Sequence, residues 1–138
     1  MVMLSPSTLS LFEDCPRCFY LQFNKGFKRP DSIFPSLPAG MDRILKEHFD
    51  SFIGKDELPP ELVKHKVKAT LFSDKNLLET WRDYKKGLSW PDGNGNILKG
   101  AVDNILVHGN KLIVLDYKTR GYELKEDSHE YYRSQLNI

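Results

Sequence analysis

Asp103-Asn104-Ile105-Leu106-Val107-His108-Gly109-Asn110-Lys111-Leu112-Ile113-Val114-Leu115-Asp116-Tyr117-Lys118 is the stretch that decides the fold. Two apolar, β-branched runs flank Gly109-Asn110, a pair suited to a tight turn, and this predicts a β-hairpin. Its strands are expected over Ile97 to Val107 and Lys111 to Lys118. A two-residue turn sets Val107 opposite Leu112, Ile105 opposite Val114 and Asp103 opposite Asp116. Side chains two apart share a strand face, so Asp116 and Lys118 project together while Tyr117 points to the other side. A three-residue loop without a bulge would instead put the two aspartates on opposite faces.

Upstream of the hairpin the chain reads as helical. Ser5-Pro6 has the form of an N-cap followed by proline at the first helical position, and Leu9 and Phe12 then share a face. Pro16 ends or restarts that helix ahead of an aromatic-rich turn with Phe19, Tyr20 and Phe23. Gly26 to Pro38, with three prolines, reads as loop. Met41, Ile44, Leu45, His48, Phe49 and Phe52 recur at three- and four-residue steps, an amphipathic helix with His48 inside its apolar stripe. Two more helices are expected between Pro60 and Lys86, the second carrying Leu77, Leu78, Trp81 and Tyr84. Pro91-Asp92-Gly93-Asn94-Gly95 reads as a turn, and Glu126 to Ile138 as helical.

Size and composition set the frame. The 138 residues suit one domain (1-138), with 40% hydrophobic and 28% charged residues as in ordinary globular chains. The longest apolar runs, such as Leu112 to Leu115, are far below the about 20 residues that span a bilayer, so no membrane association and a cytoplasmic location are expected. A net charge of +1 announces no polyanionic partner, so any nucleic-acid surface must be local. Lys25 to Arg29 and Lys64 to Lys68 are such local stretches, readable as phosphate contacts or as solvated faces. Cys15-Pro16-Arg17-Cys18 reads as a redox pair, half of a metal site, or two small apolar residues in a packed turn.

Two carboxylates facing each other across a hairpin repel, and a cation is needed to resolve the conflict. Carboxylate oxygens are the ligands that magnesium prefers. A divalent metal held by Asp103 and Asp116 would lower the pKa of a water and neutralise charge on a phosphate, with Lys118 orienting the nucleophile. That is the chemistry of phosphodiester hydrolysis.

Gly100-Ala101-Val102-Asp103 followed by Asp116-Tyr117-Lys118-Thr119 resembles the second and third motifs of the PD-(D/E)XK nuclease superfamily, RecB-type branch. Ser5 to Leu21, with its serine start, Cys15-Pro16 and Phe19-Tyr20, resembles that branch's leading segment, and His48 matches its helical histidine. The resemblance implies an α/β (α+β) restriction-endonuclease-like core: a mixed central β-sheet with an antiparallel hairpin, flanked by helices. It implies metal ligation of Mg2+ or Mn2+ by His48, Asp103, Asp116 and the backbone carbonyl of Tyr117. It also implies catalytic roles for Asp103, Asp116, Lys118 and Gln135, the last on the helix after the third motif. Asn104 departs from the arginine that often follows the second-motif aspartate, and with it goes any contact that arginine would make. The glutamine motif usually runs on to a tyrosine four residues later, beyond Ile138, which implies a chain truncated at its C-terminus. Relatives in the CRISPR-adaptation and AddB-like groups hold an iron-sulfur cluster with one cysteine near the first motif and three near the C-terminus. Cys15 matches the first, and this chain alone cannot hold a cluster in that manner.

The expected function is therefore a metal-dependent DNA nuclease, exonuclease-like, acting in recombination, repair or defence, with helicase or other nuclease-complex subunits as partners. Two alternatives stand beside it. One is a catalytically silent nuclease-fold module that binds nucleic acid or scaffolds a larger complex. The other is a purely structural domain in which Asp103 and Lys118 form a salt bridge and an ammonium stands where the metal would be.

Overall fold

In the computed structural model, which describes residues 2–31, 33, 36–119 and 121–137, the Gly109-Asn110 hairpin forms with the expected register. Strands β5 (Asn104–His108) and β6 (Lys111–Leu115) pair antiparallel, with Ile105 opposite Val114 and Val107 opposite Leu112. Gly109 takes a φ of 59°, the left-handed conformation that a tight two-residue turn demands and that glycine adopts at least cost. The ladder ends at Asn104–Leu115, so Asp103 and Asp116 stand one position beyond it.

The other elements described are β1 (Met3–Leu4), α1 (Pro6–Asp14), α2 (Pro16–Lys25), α3 (Ser36–Asp50), α4 (Pro60–Lys64), β2 (Thr70–Leu71), α5 (Lys75–Arg82), β3 (Leu88–Pro91), β4 (Ile97–Gly100), a 3₁₀ turn at Glu130–Tyr132 and α6 (Arg133–Leu136). The fold is mixed α+β. Where one mixed central sheet was expected, the described residues form two three-stranded sheets, ordered β1-β4-β3 and β2-β5-β6. The first is mixed, with β1 parallel and β3 antiparallel to β4; the second is wholly antiparallel. The expected strand from Ile97 to Val107 breaks at Ala101–Asp103 because the Val102 N–H donates to the carbonyl of Trp81 at 3.2 Å instead of to a ladder.

By its contacts the chain divides into two compact units. The first comprises Met1–Phe34, Leu88–Gly100 and Tyr122–Ile138. Here Ser5 and Thr8 close a reciprocal capping box at the start of α1, and Phe12, Phe19 and Phe23 stack edge-on and tilted, with centroids 5.3 and 4.5 Å apart, to join α1 to α2. Helix α1 ends just before Pro16, and Pro16 opens α2, since a first-turn proline lacks an N–H that would be unpaired anyway. The helix expected over Glu126 to Ile138 is limited to Glu130–Leu136, while Ile138 lies outside the described residues. Pro91, expected in a turn, closes strand β3 opposite Ile97 of β4, next to the Trp90–Leu98 pair.

The second unit, Pro35–Gly87 and Ala101–Gly121, contains the buried apolar cluster of Phe49, Ile53, Leu62, Leu71, Leu78, Val102, Ile105 and Leu106. Helix α3 supplies Phe49 from the predicted apolar stripe, and α5 supplies Leu78, the most deeply buried of the set. Pro38, expected in a loop, sits in the first turn of α3, where a missing N–H costs little; Ser32, Phe34 and Pro35 of that expected loop lie outside the described residues. Tyr84, expected on the second helix, falls past its end and is exposed. Strand β5 runs between β2 and β6 and is buried at Asn104, Ile105 and Leu106, whereas Leu112, Ile113 and Val114 of β6 are about half exposed. No helix among the described residues is long and apolar enough to cross a membrane.

Candidate active site at the open end of the hairpin

Strand β6 stops at Leu115, three residues short of the expected Lys118, because the Tyr117 N–H leaves the ladder and donates to Asp103 Oδ2 at 2.9 Å. A side-chain acceptor thus replaces a backbone one. It holds the β5 and β6 arms together where their backbone pairing ends, with both aspartates at the gap. The Tyr117 ring turns the other way, as strand alternation predicts. It packs at 4.9 Å from Phe49, and its hydroxyl accepts from Asn104 Nδ2 at 3.0 Å. Asn104 is fully buried, and its Oδ1 accepts its neighbour's Ile105 N–H at 2.9 Å. Burial pushes the Tyr117 phenol well above its ordinary value, so it stays neutral. The position where the resemblance would place an arginine is thus a buried strut joining the two arms.

Asp103 and Asp116 come together as the register demands, with the Asp103 carboxylate within hydrogen-bonding reach of Asp116. Burial raises the affinity of Asp116 for a proton, Lys118 opposes that rise, and the charge of Asp103 adds to it. Lys118 Nζ contacts Asp116 Oδ2 at 2.5 Å, so carboxylate and ammonium meet at one edge as the i, i+2 spacing predicts. The salt bridge weighed between Asp103 and Lys118 takes a different form. Asp103 Oδ1 pairs at 3.0 Å with Lys46 of α3, which also bonds Asp42 Oδ2 at 2.8 Å one helical turn back. Burial alone would lower the Lys46 ammonium's proton affinity, and the two carboxylates reverse the sign, so its pKa stands above the ordinary lysine value. Each aspartate of the pair therefore meets its own lysine, one from a helix and one from its own strand arm.

A second polar cluster adjoins this one. Arg82, at the end of α5, donates from Nη1 and Nη2 to the two oxygens of Asp50 at 2.7 and 2.8 Å, and from Nε to the Asp103 carbonyl at 2.7 Å. This fixes the backbone of Asp103 on the α3–α5 scaffold. Lys46, Arg82, Asp50 and the structural use of Asn104 are absent from the sequence reading. The Asp42–Lys46 spacing of four and the Glu79–Arg82 spacing of three are local signals among them, and both point along a helix rather than to Asp103 or Asp50.

His48 lies on α3 as expected, but its Nε2 faces Glu61 Oε2 at 3.2 Å and its ring packs edge-on to Phe49 and Phe52. Among the described residues no three His, Cys, Asp or Glu side chains stand together as a ligand group, so His48 is not brought to the aspartates. Gln135 lies on α6 in the first unit, lining a surface recess with Ser7, Ser10, Asp14 and Arg29 of that same unit. The donor set at the hairpin end is therefore two adjacent carboxylates. This fits magnesium, which is commonly held by one or two carboxylates while keeping several of its waters. The sequence matches no protein-family model, and neither a curated protein nor a solved structure matches the chain.

Proposed function

We propose that the chain is a metal-dependent nuclease of the PD-(D/E)XK type with a restriction-endonuclease-like core, hydrolysing DNA phosphodiester bonds at the end of the β5–β6 hairpin. The observation that carries this reading is the apposition of Asp103 and Asp116 with Lys118 at the same edge. Two anions forced together beside a cation are unfavourable for stability alone and fit a site that takes up a divalent ion. Asp103 and Asp116 would hold Mg2+ or Mn2+, which when bound supplies an acidified water and neutralises phosphate charge. Lys118 supplies a mobile ammonium that orients the attacking water or meets a phosphate oxygen. Arg82 and Asn104 act through Asp103 and Tyr117, keeping the two arms at fixed separation. Helicase or other nuclease-complex subunits are the partners this reading suggests, with action in the cytoplasm on recombination, repair or defence substrates.

The test is release of nucleotides from fluorescent single- and double-stranded DNA with magnesium or manganese, comparing the chain with Asp116→Ala. Cutting that vanishes only in the variant supports the reading; undiminished cutting in the variant removes it. One observation favours a second, purely structural reading: the ammoniums of Lys46 and Lys118 already neutralise both aspartates. Under that reading, added magnesium or manganese produces no rise in melting temperature at any concentration.

A further inference from the structure

The Cys15-Pro16-Arg17-Cys18 segment is not used by the site above. Cys15 is the joint between α1 and α2: its N–H donates to the Leu11 carbonyl at 2.9 Å, and its own carbonyl accepts from the Phe19 N–H at 3.1 Å. With Pro16 fixing the entry to α2, the Cys15 sulfur is held over the first turn of that ten-residue helix. There it accepts the Cys18 N–H at 3.2 Å and stands 2.8 Å from the Cys18 sulfur. Both cysteines are half-buried, so solvent reaches them. Arg29 of the same unit, whose guanidinium stands 3.9 Å from Asp14 Oδ2, lies close enough to both sulfurs for its charge to act on them.

These observations separate the three possibilities the sequence left open. Two inert apolar fillers have no need of a guanidinium, and partial exposure argues against simple packing. A metal half-site is opposed by charge, because Arg29 is a permanent cation beside both sulfurs. Among the described residues, moreover, no third His, Cys, Asp or Glu joins them as a ligand group. Close sulfurs, a backbone N–H on one, a neighbouring cation and access from solvent are together the environment of a reactive dithiol.

We propose that Cys15 and Cys18 form a redox-active dithiol that closes reversibly to a disulfide, with Cys15 as the attacking thiolate and a low-molecular-weight disulfide such as oxidised glutathione as oxidant. The Cys15 thiol holds its proton less tightly than an ordinary thiol, through the Cys18 thiol and N–H first and Arg29 in addition. In the first step the Cys15 thiolate attacks one sulfur of oxidised glutathione, forming a mixed disulfide and expelling a glutathione thiolate that takes up the proton Cys15 lost. In the second, Cys18 gives up its proton and attacks the Cys15 sulfur, forming the internal disulfide and releasing the second glutathione. The protein loses two electrons and two protons, and one glutathione disulfide becomes two thiols. The closed form staples the α1–α2 joint.

The test equilibrates the whole chain with glutathione buffers of rising oxidised fraction, quenches in acid, labels free thiols with a maleimide and reads intact mass. Both thiols are expected to disappear together, with a mass lower by that of the two lost hydrogens and no glutathione retained. Cys18→Ser is expected to keep one glutathione on Cys15, and Arg29→Ala to slow alkylation of Cys15 by iodoacetamide at neutral pH several-fold with unchanged circular dichroism. Wild-type chain that keeps both thiols throughout the series, or that accumulates a stable glutathione adduct, overturns the proposal. Stoichiometric zinc uptake by the reduced wild-type chain would replace it with the metal half-site. The wild-type measurements decide without relying on the folding of any variant.

Discussion

Two acid–base clusters lie side by side in the second unit, and they are built differently. Asp50 and Arg82 meet fork to fork at 2.7 and 2.8 Å, the exposed Glu79 adds a second carboxylate 2.9 Å from Nη1, and the arginine side chain is only 9% exposed. Asp103 and Asp116 form a crowded set, two carboxylates against each other with lysines drawn from α3 and from the strand arm. In the first cluster a planar guanidinium has an acceptor on each of its three nitrogens, so its burial is tolerated. In the second, two carboxylates press on each other between separate lysine ammoniums, which under the proposed function a divalent cation would displace. The contrast teaches that neighbouring acid–base clusters differ in whether their carboxylates share one planar guanidinium or press on each other between separate ammoniums.

That contrast can be broken at four points. Arg82→Ala removes the guanidinium that Asp50, Glu79 and the Asp103 carbonyl share and leaves Asp50 uncompensated; unfolding free energy should fall by about 3 kcal/mol, read as a lower urea midpoint. Arg82→Lys should not recover it, since a point charge cannot make the fork. Asp116→Asn removes one anion from the crowded pair, so metal-dependent DNA cleavage should fall about 100-fold, or ~2.7 kcal/mol of barrier, while the urea midpoint stays level or rises. A fall in both together would place Asp116 among the structural residues. Lys46→Met takes away a competing cation, and Mn2+ affinity by isothermal titration should rise about tenfold, or ~1.4 kcal/mol; unchanged affinity would mean that Lys46 does not compete. The smallest effect is a pH slope. Asp116 holds its proton more tightly folded than unfolded, so its contribution favours folding below the ordinary carboxylate range and is lost as pH rises through the raised folded value. Asp116→Asn should remove that part of the pH dependence, as seen in thermal melts of the metal-free chain between about pH 3 and 6.

The hairpin register was legible because a two-residue turn leaves no freedom. Once Gly109-Asn110 is the turn, Asp103 must face Asp116. The α3 stripe was legible for the same kind of reason, a period repeated often enough to name Phe49 as core. Strands β1 and β2, at two residues each, carry no period at all. The runs in β5 and β6 look equally apolar, yet only β5 lies between two neighbours, and nothing local tells Leu112 and Ile113 that they sit on an edge. Lys46 to Asp103 and Arg82 to Asp50 are contacts between elements far apart in the chain, set by how helices pack and not by spacing. Sequence therefore located Asp103, Asp116 and Lys118, while only the folded arrangement supplied Lys46, Asp50 and Arg82.

The Asp103 carboxylate is used twice, with Oδ1 on Lys46 and Oδ2 on the amide of Tyr117. That amide lies past the last rung of backbone pairing, so its shelter from solvent depends on the angle of one side chain. Its hydrogen-exchange rate is accordingly a built-in gauge: anything that swings Asp103 away, a cation included, uncovers a single, identifiable proton while the rest of the hairpin stays protected.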